Sequence, residues 1–197
     1  MKRSAPATER NREPIAAVLR EVLPEWGTLL EIASGTGEHA VYFAGLFPDL
    51  MWQPTDPDPA ALESIAAWRE EAGTPNLLEP LWLDAAAYPW TITAADAILC
   101  VNMVHISPWQ ATVGLMRGAG RALESGAPLI LYGPYRRAHF PTAPSNEAFD
   151  ESLKARNPEW GLRDLEAVQA EARRRLLLLE RIVEMPANNL TLVFRHV

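Results

Sequence analysis

The side chains able to do chemistry gather at the ends of the chain's apolar runs. Glu31 lies within Leu29-Leu30-Glu31-Ile32, just ahead of Ala33-Ser34-Gly35-Thr36-Gly37. Asp56 closes the run Leu50–Thr55, Asp84 closes Leu81–Leu83, and His105 follows the apolar stretch 96–102. Carboxylates accept hydrogen bonds from hydroxyls and amines, and an imidazole exchanges a proton near neutral pH. The glycines let the backbone approach a ligand closely. The helical pattern after them, Ala40, Phe43 and Phe47, offers unpaired N–H groups at its start.

Strand, glycine turn and helix open a nucleotide-binding βαβ unit. Gly-x-Gly alone is a weak signal, and Glu31 sharpens it. Pyrophosphate is anionic, so a carboxylate beside the turn would repel it. A cationic ligand fits better, and S-adenosylmethionine carries a sulfonium and an α-ammonium. An ordinary αβ turn with a solvated Glu31 is the plain alternative. Asp56 stands nineteen positions past Gly37, where an acid ending a second strand accepts the hydroxyls of a ribose. Its neighbours Pro57-Asp58-Pro59 also suit a plain helix start. Asp84 is open between bonding an adenine amine and forming a turn.

Composition narrows the field. At 197 residues, 48% hydrophobic and 22% charged, the chain has the length of one domain, or of one domain with appendages, and the make-up of a soluble globule with a real core. Its one cysteine, Cys100, rules out an internal disulfide framework and reads as a buried, inert thiol. No apolar signal core opens the chain and no run reaches membrane length, so the expected location is cytoplasmic. A net charge of −7 disfavours a nucleic-acid partner and leaves a small-molecule substrate as the expectation. Arg173, Arg174 and Arg175 are expected to pair with Glu166 and Glu171 on a solvated helix face. The four histidines show no ligand pair at helical spacing, so no metal site is expected.

The elements that position these groups follow from periodicity. Residues 1–9 read as flexible and 12–23 as a helix capped by Asn11. The polar segment Arg10–Pro14 either serves that cap or folds over a ligand, which makes Arg10 and Asn11 substrate candidates. Strands are expected at 29–32, at Leu50–Thr55 with Pro54 at its tip, at Leu81–Asp84, centrally at Asp96–Asn102, and at Pro128–Tyr132. Helices are expected at 60–72, on Leu62, Ile65 and Ala66, and at 108–123, on Val113, Met116 and Gly120. Residues 133–160 show no sustained period and read as a lid or substrate loop containing Trp160. A helix at 163–175 precedes an antiparallel strand pair, Leu176–Val183 and Leu190–His196. His105 reads either as a general base or as a cap for the next helix. Tyr132, Tyr135 and His139 are secondary candidates at the substrate side, and His39 reads as packed.

The acid before the glycine turn and the acids closing two later strands resemble a class I S-adenosylmethionine-dependent methyltransferase. The words Arg10-Asn11-Arg12-Glu13-Pro14, Glu31-Ile32-Ala33-Ser34-Gly35-Thr36-Gly37-Glu38-His39, Trp52-Gln53-Pro54-Thr55-Asp56, Asn102-Met103-Val104-His105 and Asn157-Pro158-Glu159-Trp160-Gly161 are similar to a small methyltransferase-like family labelled as a domain of unknown function. The resemblance implies a Rossmann-like, seven-stranded, mostly parallel sheet in the order 3-2-1-4-5-7-6, with strand 7 antiparallel and helices on both faces. It implies that Glu31 and the backbone of Ala33, Ser34, Gly35 and Gly37 cradle the methionine end of the cofactor. Asp56 would take the ribose, Asp84 the adenine amine, and Asn102 the region near the amino acid. Ala33 stands where such turns usually begin with glycine, and a positive φ there would cost about 1 kcal/mol or more. Asn102-Met103-Val104-His105 lacks the paired prolines of enzymes that methylate base nitrogens. The rival readings are an NAD(P)-dependent reductase and a non-catalytic S-adenosylmethionine-binding protein.

Overall fold

The computed structural model of the chain describes residues 1–197. The elements run α1 (Pro6–Val22), β1 (Gly27–Ile32), α2 (Glu38–Leu46), β2 (Leu50–Asp56), α3 (Pro59–Ala72), β3 (Leu81–Trp82), β4 (Ala97–Val101), α4 (Trp109–Ala122), β5 (Pro128–Gly133), β6 (Tyr135–Arg136), α5 (Pro144–Arg156), β7 (Arg163–Asp164), α6 (Leu165–Arg173), β8 (Leu177–Met185) and β9 (Asn189–His196). Seven strands form one sheet in the order β3-β2-β1-β4-β5-β9-β8, and β6 and β7 pair separately. The first five strands of that order run parallel, and β9 is antiparallel to both β5 and β8. Setting the β6–β7 pair aside, this is the expected order with its antiparallel last strand.

Strand alternation builds two cores. Leu30, Ile32, Ile98, Cys100, Leu129 and Leu131 face α4 and α6, where Leu115, Met116, Ala119 and Val168 meet them. Leu29, Leu99, Val101, Ile130 and Tyr132 face α1 and α2, where Ile15, Leu19, Ala40 and Phe43 close the other side. β4 is buried along its whole length, as a central parallel strand must be. Cys100 is buried there, and desolvation pushes its thiol up to about 12. No helix is long and apolar enough to cross a membrane.

Several sequence expectations change. α1 begins at Pro6, so residues 6–9 are helical and Asn11 lies inside the helix instead of capping it. Its buried side includes Thr8 and Asn11, polar residues that an apolar period does not register. Pro54 lies within β2 because its nitrogen faces the β3 side in the gap between the Trp52–Leu77 bridge and the Thr55–Leu81 pair, where no ladder N–H is needed. The buried face of α3 is Ala61, Ser64 and Ile65, and that of α4 includes Leu115, Met116, Ala119 and Ala122. Residues 133–160 are not a plain loop, because they contain β6 and the 13-residue α5. α5 buries only Asn146, Asp150 and Leu153, and it docks through Arg136, which pairs with Glu147 at 2.5 Å and Asp150 at 2.9 Å. Glu171 does pair with Arg174 at 2.8 Å, whereas Glu166 accepts the Ala138 N–H at 2.9 Å.

Gly37 joins the glycine turn to α2 with φ +92°, and a Cβ there would stand 2.8 Å from the Ile65 Cα. Gly37→Ala is expected to lower unfolding stability by about 2–4 kcal/mol, from left-handed strain plus overpacking. Gly73→Ala, at φ +61° with open space around it, serves as the comparison for strain alone. Urea unfolding of both variants measures the difference, and equal losses would refute the close-approach account.

Candidate active site

The carboxyl ends of β1, β2 and β4 meet at one edge of the sheet, and a cavity of about 630 Å³ opens there. β1 leads into it with Ile32, Ala33 and Gly35. Asp56 and Pro57 come from the end of β2, and Leu83 to Ala86 follow β3. β4 and the loop after it contribute Val101, Asn102, Met103, Ile106, Ser107 and Pro108, the first turn of α4 supplies Gln110 and Ala111, and Trp160 closes the far side. No lysine, arginine or histidine stands on the wall.

The turn is held in a set conformation. Ala33 and Asn102 adopt φ of +57° and +60°, so the positive φ anticipated at Ala33 is present. Asp56 braces the turn: its Oδ2 accepts the Gly35 N–H at 2.9 Å and its Oδ1 accepts the Asp58 N–H at 2.9 Å. Asp58, not Asp56, caps α3, accepting the Ala60 N–H at 2.9 Å. Burial raises the Asp56 carboxyl above the ordinary aspartate range, and the two backbone donors oppose that rise. Asp84 combines both of its sequence readings. Its Oδ1 accepts the Ala86 N–H at 2.9 Å in a local turn, and the residue lines the cavity.

Six of the sequence candidates therefore share one cavity: Ala33, Gly35, Asp56, Asp84, Asn102 and Trp160. The others lie elsewhere, each for an identifiable reason. Glu31 is 1% exposed and shares the face of Leu29 by strand alternation, so its carboxylate accepts the Trp52 indole N–H at 2.8 Å on the α1–α2 side. Burial pushes that carboxyl up to about 7, against the stabilising Trp52 bond. Ser34 fastens β1 to β2, its Oγ accepting the Thr55 N–H at 3.2 Å. Gly37 packs on α3.

His105 is buried beneath Phe149, edge to face at 5.6 Å, and off the cavity wall. Desolvation lowers its pKa to about 4, with Arg163 and Arg156 adding to the shift, so the ring is neutral at neutral pH. It does not cap α4 either, since Pro108 holds that position. Asn11 is buried and its Oδ1 accepts the His39 Nε2–H at 2.8 Å, while Arg10 stands exposed on the outer side of α1. Tyr132 is enclosed in the α1–α2 core. Tyr135 points into the other core and borders a separate cavity of about 210 Å³. His139 is exposed at a tight turn with φ +64°.

Sequence reading missed the apolar part of the wall: Pro57, Leu83, Met103 and Ile106. Pro57 and Leu83 directly follow strand ends, and Met103 and Ile106 lie in the loop between β4 and α4, a placement that was their one available signal.

Glu31 carries a pH dependence with a definite sign. Its folded pKa is raised from 4.5 to about 7, so between those values the folded chain holds a proton that the unfolded chain has lost. Stability from this group is full below the lower value and is lost as pH rises through the upper one. From pH 5 to pH 8 the loss through Glu31 is expected to be about 3 kcal/mol, and Glu31→Gln should remove it. Urea titrations of both proteins at the two pH values measure this. Parallel slopes would show that Glu31 titrates normally.

Known structures share this architecture. An O-methyltransferase family protein from Burkholderia thailandensis matches at a TM-score of 0.81 with 15% identity, over 96% of this chain and 57% of that one. An O-methyltransferase family 2 protein from Planctomyces limnophilus, solved in complex with apigenin, matches at 0.78 with 20% identity, over 97% and 60%. The mitomycin 7-O-methyltransferase MmcR matches at 0.82 with 18% identity, over 97% and 54%. The chain thus spans little more than half the length of each, and the likeness is one of fold. Residues 2–196 match the family described as "Protein of unknown function (DUF938)", and the chain belongs to that family.

Proposed function

We propose that the chain binds S-adenosylmethionine at this edge and transfers its methyl group to a small-molecule acceptor. The observation that carries the reading is the cavity wall itself. It joins the glycine turn to two carboxylates, Asp56 and Asp84, and contains no cationic side chain. A dinucleotide would bring phosphates to a wall with nothing to neutralise them, which disfavours the NAD(P)-dependent reductase reading. A cationic nucleoside meets no such penalty.

The wall's residues suit the three parts of that ligand. The Asp56 oxygens each have an unused acceptor direction beyond their backbone donors and can take two ribose hydroxyls. The second carboxyl oxygen of Asp84 is free for an adenine amine. Pro57, Leu83 and Ala111 offer apolar surface to the base. Ala33 and Asn102, both at positive φ, present main-chain groups to the amino-acid end. Glu31 lies behind the turn, bonded to the Trp52 indole, and does not line the cavity.

S-adenosylmethionine supplies an already activated methyl, so the chain's task is to hold two reactants in line. Orientation of this kind lowers a barrier by about 7–11 kcal/mol. No imidazole stands on the wall, and His105 is buried behind it. The proton acceptors on the wall are Asp56 and Asp84, both assigned here to the cofactor, so an acceptor that attacks in its resting protonation state fits this site best.

Calorimetry tests the cofactor reading directly. S-adenosylhomocysteine is expected to bind the chain, and NADH to give no heat. Asp56→Ala should weaken the binding by about tenfold or more, through loss of a carboxylate with two hydroxyl partners. Isotope-labelled S-adenosylmethionine mixed with fractionated metabolites then identifies the acceptor by mass spectrometry. Binding of NADH in place of S-adenosylhomocysteine would reverse the assignment.

A further inference from the structure

The cavity has two chemically distinct ends. Asp56, Asp84 and Gly35 form the acidic, polar end. Met103, Ile106, Ser107 and Trp160 form the other, where Ile106 is 42% exposed and Trp160 is half-buried. Large apolar side chains left open beside a cavity favour a ligand that covers them.

Trp160 is held there by a built turn. At the end of α5 the Asn157 side chain accepts the Glu159 N–H at 2.9 Å, and its carbonyl accepts the Trp160 N–H at 3.0 Å. Arg163 then joins this turn to the β4–α4 loop. Its guanidinium donates to the carbonyls of Glu159 at 2.6 Å, Ser107 at 2.8 Å and Val104 at 3.4 Å. The Gly161 N–H adds a bond to the His105 carbonyl at 3.0 Å. Trp160, Ile106 and Met103 are thereby one wall, and the word Asn-Pro-Glu-Trp-Gly is the device that completes it.

Arg163 and Lys154 are committed to the frame, and Arg156, bonded through its Nε to the Ser152 carbonyl at 3.3 Å, stands off the cavity wall. Arg163 spends its donors on carbonyls, Arg156 lies over the Trp160 ring at 5.6 Å, and Lys154 pairs with Asp150 at 2.6 Å. An anion entering the cavity would meet Asp56 and Asp84 with no free cation on the wall. A cation against the indole would meet the charges of Arg156 and Arg163. We propose that this wall is the acceptor subsite and that it takes an uncharged, flat aromatic acceptor lying against Trp160. The word acceptor rests on the methyl-transfer reading; the preference for a neutral aromatic ring rests on the wall alone.

Two probes that share a ring system and differ in charge test this: 2-naphthol and 2-naphthoate, near pH 7. Both are titrated into the free chain and into the chain saturated with S-adenosylhomocysteine. 2-Naphthol is expected to bind at least about tenfold more tightly than 2-naphthoate. Trp160→Ala should weaken 2-naphthol by about tenfold while changing S-adenosylhomocysteine affinity less than about twofold, and Trp160→Phe should retain both. Equal or tighter binding of 2-naphthoate overturns the proposal. So does an equal loss of both ligands in Trp160→Ala, which would assign Trp160 to the cofactor, or the absence of 2-naphthol binding to either form. Failure of S-adenosylhomocysteine to bind is a separate result. It removes the cofactor reading, while the titrations of the free chain still decide the neutral-ring preference.

Discussion

The carboxylate of Asp56 is the contact on which the site depends. It comes from the end of β2 and accepts the N–H of Gly35 in the turn after β1, so two crossovers are fixed to each other at the sheet edge. Its other oxygen accepts the N–H of Asp58 and leaves the capping of α3 to that residue. A buried carboxylate with two backbone donors keeps its charge at lower cost than an unpartnered one, and spare lone pairs remain for a ligand. One acid thus sets the shape of the turn and the polarity of the cavity beside it.

A second constraint is the absence of balancing cations on the cavity wall. Buried charge is tolerated when it is paired, and here pairing inside the cavity is left to whatever binds. The chain's own cations near the site serve the frame: Arg163 on three carbonyls, Arg136 on α5. This division leaves the frame cross-linked by its own cations and the wall acidic without one. Glu31 follows the same economy from the other face, where a Trp52 indole N–H partners it and no cation does.

Much of this was legible in the sequence because apolar alternation and strand-end acids follow directly from backbone geometry. The central β4, the antiparallel pair β8 and β9, and the positions of Asp56 and Asp84 at strand ends emerged that way, whereas the order of the strands in the sheet came from the family resemblance. What stayed hidden was held by polar contacts. α5 buries Asn146, Asp150 and a single leucine, and its anchor is an ion pair to Arg136, so it leaves no apolar period to detect. The start of α1 is concealed in the same way by buried Thr8 and Asn11. Glu31 was identified as important, yet a sequence does not say which face of a strand a turn leaves exposed. Alternation placed its side chain with Leu29, away from the cavity that Ile32 and Ala33 line.

The N-terminal segment braces the glycine turn that follows the left-handed Ala33. Asp56 holds the glycine turn from the cavity side, and residues 3–11 hold it from outside. The Arg3 N–H reaches the Ser64 hydroxyl at 2.8 Å, and that hydroxyl donates to the Thr36 carbonyl at 2.7 Å. The Ala5 N–H reaches Glu38 at 2.6 Å, which also accepts from the Thr36 hydroxyl at 3.0 Å. Farther along α1, Asn11 meets His39 at the start of α2, where burial lowers the imidazole pKa to about 4 and keeps the ring neutral. A left-handed alanine is retained only where its surroundings over-determine it. Here the turn is held from both sides, and within the polar segment Arg10–Pro14 it is Asn11 that takes part, through His39, in a role that neither a helix cap nor a ligand contact supplies.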